Sequence, residues 1–496
     1  MTPRTTRSSR GDDAGAPLGE AELYEALLTS FAGREIGKTG AGLPERELAE
    51  RVEQELQRLS LIAFGMLNRR RQWITSAELE DDLTALLGRT TSRTEGFRAP
   101  LGQAEIALGR FFFVRRAQAV QDSRRLSTYE FLHATFGEYL AARLAVQLVT
   151  GLLGQRPVLI VGPAPVEDDL LYALLSFAPL SSRQILRFVA FRLGRLEDAD
   201  RNALKSLLIK VLSQNEERTE HRYADYRPAR PVTSARHGVY SANLFLLLMF
   251  LTGGITAGEL FPEAEDPPGT WHRRVLLWRS SFDEQQWTDF AVVLRVRHTW
   301  HDARRDLELR PAADGQPVPP EPVDPYWLYR YPPGNPSRGH VAWSRTYWQQ
   351  VQHKMAVAGG TNDSVVRHAL DPVFEWLGPT VSTFVGIGDG PASSAAHDLI
   401  RLWLCSRLGA PVDDVVRWYR RCSLLLDLES ALPGDTRDGV ALLMIGLLHN
   451  DADRLPPDVF NELMYTVALN LSAEGLQALS PRLQQQVEEY FPHHRP

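Results

Sequence analysis

The sequence predicts a mainly α-helical protein, in which a winged-helix module (helices plus a short β-hairpin) precedes a large irregular α-helical domain. Three observations carry this. Apolar residues recur at helical spacing in Leu23, Leu27, Leu28 and Phe31, and again in Leu48, Val52, Leu56 and Leu59. Phe111 to Val114 is an aromatic and β-branched run, "QDSRR" is turn-like, and Tyr129 to Leu132 can return as a second strand. Beyond residue 150 the chain returns to helical patterning without a fixed repeat period.

Taken in order, residues 1–19 are a polar leader without an apolar signal region, expected to be disordered. Residues 20–68 read as helices. In the 69–150 segment, Gln72 to Ile74 suits a very short strand, and Thr75 or Ser76 caps a helix with Glu78 as the capping-box acid. The hairpin follows, with Tyr129 to Leu132 as its returning strand, and from Ala134 a long amphipathic helix carries Phe136, Leu140, Leu144 and Leu148 on one face. Residues 151–310 form a helical domain, with helices expected near 167–178, 182–194, 200–214, 240–252 and 283–290 and a hairpin in "DFAVVLRVRHTWHDARRDLELRP". A Pro-rich linker at 311–340 continues no element, and 341–496 form a C-terminal helical domain.

A chain of 496 residues has room for roughly two to four domains. Its 44% apolar and 23% charged content and net charge of −6 are those of an ordinary globular protein and argue against bulk nucleic-acid binding. With only Cys405 and Cys422, no disulfide framework or metal spacing is written into the sequence, which suits a reducing cytoplasm. The uncharged run from Gly238 to Gly258 has the length of a membrane span. Its dense apolar part is only Leu244 to Leu251, however, so a buried core helix ending at Gly253–Gly254 is expected and no membrane partner.

The string "AGREIGKT", residues 32 to 39, fits the phosphate-loop pattern at Ala32, Gly37, Lys38 and Thr39. A phosphate loop needs a buried strand before it and a helix starting at its Lys. Here a helical pattern precedes it and "GAGLPER" follows, so a helix end is expected.

"YEFLHATFGEYLAARL", Tyr129 to Leu144, resembles the end of the winged-helix domain in NACHT-type signalling NTPases, the STAND class. The matching positions are Phe131, His133, Thr135, Phe136, Glu138 and Tyr139. "ELYEALLTSFAGREIGK" resembles the helical region after the NTPase core in bacterial members, and "LQRLSLIAFGMLNRRRQWITSAELEDDL" the start of their winged helix. The resemblance spans about residues 20 to 150. It implies a regulatory and sensor portion of a bacterial NLR-like protein serving signalling and antiphage defence. No credible NTPase core accompanies it, so the chain is expected to be non-catalytic, truncated or partnered with a separate NTPase half or an oligomerisation partner. ADP or ATP would then bind only with a core supplied by that partner. In relatives the winged-helix His touches the β-phosphate of ADP, which implies that role for His133, with an imidazole N–H donating to phosphate. The plainer role is a hydrogen bond at the strand-to-helix corner. Phe131, Phe136 and Tyr139 are expected to pack.

Two readings stand beside this one: a winged-helix DNA-binding transcriptional regulator with a C-terminal effector domain, and an enzyme with an unrecognised site in residues 150–496. Arg69–Arg71, Arg115–Arg116 and Arg124–Arg125 favour the first, but the best recognition helix, "TSAELEDDLTALL", is acidic at Glu78, Glu80, Asp81 and Asp82. His298, His301 and Asp302 in "RHTWHD" are too loosely spaced for a metal site. Gly386 to Gly390, "GIGDG", reads as a loop, and Trp327, Tyr329, Tyr331, Trp343, Tyr347 and Trp348 as packing around the linker.

Overall fold

The computed structural model describes residues 19–39, 44–87, 114–121, 124–154, 166–312, 324–328, 330, 361–384, 393–426 and 434–490. Two compact units divide the chain, one of Met1–Thr299 with Asp306–Val318 and one of Trp300–Arg305 with Pro319–Pro496. The fold is predominantly α-helical with two small three-stranded sheets.

In the first unit, helices α1 (Glu20–Thr39) and α2 (Glu45–Arg69) lead into strand β1 (Trp73–Thr75) and helix α3 (Ser76–Leu87). The hairpin β2 (Val114–Gln121) and β3 (Arg124–Phe131) then feeds α4 (Ala134–Gly151). β3 is central, antiparallel to β1 through Ile74↔Tyr129 and to β2 through Arg115↔Glu130. The order helix, strand, helix, hairpin, helix is the expected β-hairpin module. Thr75 caps α3 as expected: its Oγ1 accepts from Glu78 N at 3.1 Å while its own N–H donates to Glu78 Oε2 at 2.9 Å. The hairpin is longer than its sequence suggests. Arg124 and Arg125 lie in β3 rather than in a turn, because β2 pairs with β3 out to Gln121↔Arg124.

The rest of this unit packs around a buried helix. After α5 (Asp169–Leu175), α6 (Arg183–Leu193) and α7 (Asp198–Gln214), α8 (Thr233–Thr252) runs through the core, with Leu244 to Met249 at most 1% exposed. It begins seven residues before the expected 240. It stops at Gly253, whose φ of +70° is the left-handed conformation that glycine adopts without penalty. Among the described residues no helix is long and apolar enough to cross a membrane. β4 (Ile255–Thr256), the short α9 (Ala257–Leu260), α10 (Pro267–Ser281) and α11 (Glu284–Val292) precede the hairpin β5 (Leu294–His301) and β6 (Arg304–Pro311). β4 pairs with β6 and completes the second sheet. Trp271 and Trp278 of α10 pack with Phe245 and Phe290, ring centroids 5.0–5.3 Å apart, and Trp278 Nε1 donates to Ser241 Oγ at 2.8 Å.

In the second unit, Asp324 precedes a helical turn α12 (Pro325–Leu328), so the Pro-rich stretch does carry one short element. Asp324 Oδ1 accepts from the N–H of Tyr326 at 2.9 Å, and Trp327 is buried under the Arg305 guanidinium, 4.8 Å above its ring. Tyr329, Tyr331, Trp343, Tyr347, Trp348 and the "GIGDG" loop lie outside the described residues. Helices α13 (Thr361–Leu377), α14 (Ala395–Arg407), α15 (Val412–Ser423), α16 (Gly434–Asp451), α17 (Pro457–Ala468), α18 (Ala473–Ala478) and α19 (Pro481–Tyr490) follow, with a core that includes Leu402, Tyr419, Met444 and Met464. Arg454 stitches this core: it pairs with Asp451 at 2.9 Å and donates to the carbonyls of Ser406 and Ala410 at 2.8 and 2.9 Å, which closes the C-terminal end of α14. Burial pushes the Cys422 thiol well up, so it stays protonated within that core.

Candidate functional site

The phosphate-loop pattern is helical. Ala32, Gly37 and Lys38 lie on α1, Ala32 is buried, and Lys38 pairs with Glu35 at 2.5 Å. A continuous helix directs its N–H groups along its own axis and cannot cradle a phosphate with them.

His133 sits at the N-cap of α4 with extended φ and ψ of −134° and 138°, and its side chain makes no cap hydrogen bond. The imidazole is exposed, 6.4 Å from the Phe136 ring. Behind it the corner is firmly packed. Phe136 and Tyr139 are buried and both meet Tyr24 of α1, at 5.4 and 5.6 Å. Phe131 is half-buried. Glu138 accepts from Ser182 Oγ at 2.8 Å.

One turn further along α4 lies a polar network that sequence reading did not find. Arg143, 3% exposed, donates to Glu53 Oε2 at 2.5 Å and to Glu25 at 3.4 Å. Glu25 also accepts from the Tyr139 hydroxyl and from Arg192 at 2.9 Å. Burial pushes the Glu25 carboxyl up, but the Tyr139 hydroxyl and the Arg143 and Arg192 guanidiniums outweigh it and hold the group below the usual carboxylate value. Burial likewise opposes, and Arg143 and Gln147 overcome, at Glu53. The network ties α1, α2, α4 and α6 together at the base of the hairpin module.

Of the arginines expected to mark a DNA surface, Arg69, Arg70, Arg71 and Arg115 are engaged within the chain, and the side chains of Arg116, Arg124 and Arg125 lie outside the described ones. Arg69 makes a buried bidentate pair with Asp82 at 2.6 and 2.8 Å. Arg71 pairs with Glu78 and lies 4.1 Å over Trp73, and Arg70 pairs with Asp283. Arg115 faces Glu130 across the hairpin at 3.6 Å. His301 and Asp302 are exposed at the β5–β6 turn, 3.5 Å apart, and among the described residues no three His, Cys, Asp or Glu side chains converge as a metal site would require.

A concave feature lies elsewhere, where the segment between α7 and α8 folds over the ends of α5 and α8. It is a cavity of about 590 Å³. Four arginines line it (Arg218, Arg227, Arg230 and Arg236), together with His221 and His237, and among the described lining residues the only acid is Glu220. The floor is aromatic: Arg218 and Arg236 lie 4.6 and 4.8 Å over Tyr172, and Arg236 lies 4.4 Å over Phe177. Arg218 is neutralised by its pairs with Asp168 and, at 2.8 Å, Asp169, and Tyr240 donates to Asp168 at 2.6 Å.

Among the described residues Arg236 has no carboxylate partner. It donates to Ser176 Oγ at 2.9 and 3.1 Å and meets His221 Nε2 at 3.3 Å. Burial lowers its pKa, the direction that an uncompensated buried cation takes. Burial, then Arg236, push His221 down to about 4, and burial, then Arg218 and Arg236, lower His237. His221 is therefore neutral at pH 7. A guanidinium can only donate, so Nε2 accepts and Nδ1 carries the proton; that buried Nδ1 has no partner among the described residues. The sequence signal was present, since Arg218, Arg222, Arg227, Arg230 and Arg236 fall within twenty residues that also hold His221 and His237.

No protein family, no curated protein and no solved structure matches the chain.

Proposed function

We propose that this chain is the non-catalytic regulatory and sensor portion of a bacterial NACHT, or STAND-type, signalling NTPase, acting in the cytoplasm. The supporting observation is the corner at β3 and α4, where "YEFLHATFGEYL" leaves His133 exposed and uncommitted while Phe136 and Tyr139 are anchored. An imidazole fixed on a rigid corner is suited to touch a phosphate held by another body, and loss of that contact frees the module to move. The Glu25–Arg143–Glu53 network makes α1, α2 and α4 respond as one piece. The winged-helix DNA-reader alternative is less well supported, because Arg69, Arg70 and Arg71 are already paired.

The test is release of fluorescent ADP from a NACHT-type NTPase core, encoded upstream in the same frame or beside it, in the presence of this chain. The chain should slow ADP release several-fold, and His133→Ala should abolish that effect without lowering the melting temperature. An ADP release rate that the chain leaves unchanged would contradict the reading.

A further inference from the structure

Among the described residues, three of the four arginines lining the cavity between α7 and α8, Arg227, Arg230 and Arg236, have no carboxylate partner. Among the described residues Arg230 makes no ion pair. Among the same residues Arg227 bonds only to the Ala224 carbonyl, at 2.9 Å, and Arg236 only to Ser176 and His221. Arg227 and Arg230 are exposed at the mouth, while Arg236 lies deeper against two aromatic rings. Like charges gathered around a concave space repel one another, and the repulsion is relieved by an anion in that space.

We propose that this cavity binds a small phosphorylated compound, a phosphomonoester or diphosphate with at least two negative charges, held by Arg227, Arg230 and Arg236. Guanidinium forks match phosphate oxygens two at a time, and three unpaired cations suit a dianion better than a monocarboxylate. At about 590 Å³ the space exceeds what a bare phosphate fills and falls in the range of small-molecule sites, leaving room for an organic group. Concave geometry and the chain's net charge of −6 disfavour a nucleic-acid backbone as the occupant. Thr219 and Thr233 on the lining supply hydroxyls for further oxygens. This proposal does not rest on the NTPase reading, since the cavity would take its anion whatever the hairpin module reports to.

The experiment is calorimetric titration of the full chain, at low salt and pH 7.5, with inorganic phosphate, pyrophosphate, a nucleoside diphosphate and acetate. Pyrophosphate or the nucleoside diphosphate should bind at least about tenfold more tightly than acetate. Tighter binding of the nucleoside compound would identify the organic ester as the ligand, and equal or tighter binding of pyrophosphate the bare anion. Because Arg227 and Arg230 are exposed, R227A/R230A should leave the unliganded melting temperature unchanged and weaken binding by about tenfold or more, whereas H133A should leave it intact. Absence of binding by every phosphate compound at millimolar concentration would overturn the proposal, as would binding that R227A/R230A does not weaken.

Discussion

Single buried polar side chains do much of the specifying in the first unit. Asn243, fully buried in α8, accepts from Leu180 N at 2.7 Å and donates to the carbonyls of Leu175 and Ala178 at 2.7 and 2.9 Å. Its partners lie 63 to 68 positions away and no local pattern announces them. Asn243→Leu should orphan all three backbone groups and cost about 2–4 kcal/mol, read as a lowered denaturation midpoint. Arg143 was hidden for the same reason, with Glu25 and Glu53 118 and 90 positions distant. Arg143→Ala should cost about 1–3 kcal/mol, because it removes the buried guanidinium that Glu25 and Glu53 share, while Arg192 still pairs with Glu25. Acid should act in two windows. His221 and His237 titrate lower in the folded chain than when unfolded, so the unfolded chain takes up protons first. Stability is then lost as pH falls from the ordinary 6.5 towards about 4. Glu25 and Glu53 are held below 4.5, so their contribution is complete above that value and is lost as pH falls through their folded pKa values. Melting temperature against pH should therefore decline below 6.5, and His221→Asn should flatten that first decline. A melting temperature constant from pH 7 to 5 would contradict this assignment.

At the scale of elements, local chemistry was legible and tertiary chemistry was not. The box at Thr75 and Glu78 was visible because its residues are three apart and form their bonds within one turn. Thr75→Ala should cost about 1 kcal/mol in urea unfolding. Helix α10 is not among the expected helices; it opens with Pro267 and Pro268, and proline is at home in the first turn of a helix. The early start of α8 was obscured by Gly238, where a Cβ would lie 2.1 Å from Ser281 Oγ of α10. Gly238→Ala should overpack this contact and cost about 1–3 kcal/mol, although alanine is the better helix former. A neutral or stabilising outcome there would mean that α8 and α10 separate more readily than their packing indicates.

For the whole molecule, the sequence carried the mainly helical class and the hairpin module, because both rest on short-range periodicity. It did not expose the cationic cavity, whose residues are spread over an irregular segment and the first turns of α8 and gain meaning only when Tyr172 and Phe177 come beneath them. The account's central claim is that this polypeptide does not itself grip and hydrolyse a nucleotide through the "AGREIGKT" string. Steady-state ATP turnover by the purified chain, with and without Mg²⁺, tests this most directly. The account predicts no turnover above buffer and no effect of Lys38→Ala; Mg²⁺-dependent turnover that Lys38→Ala abolishes would contradict it.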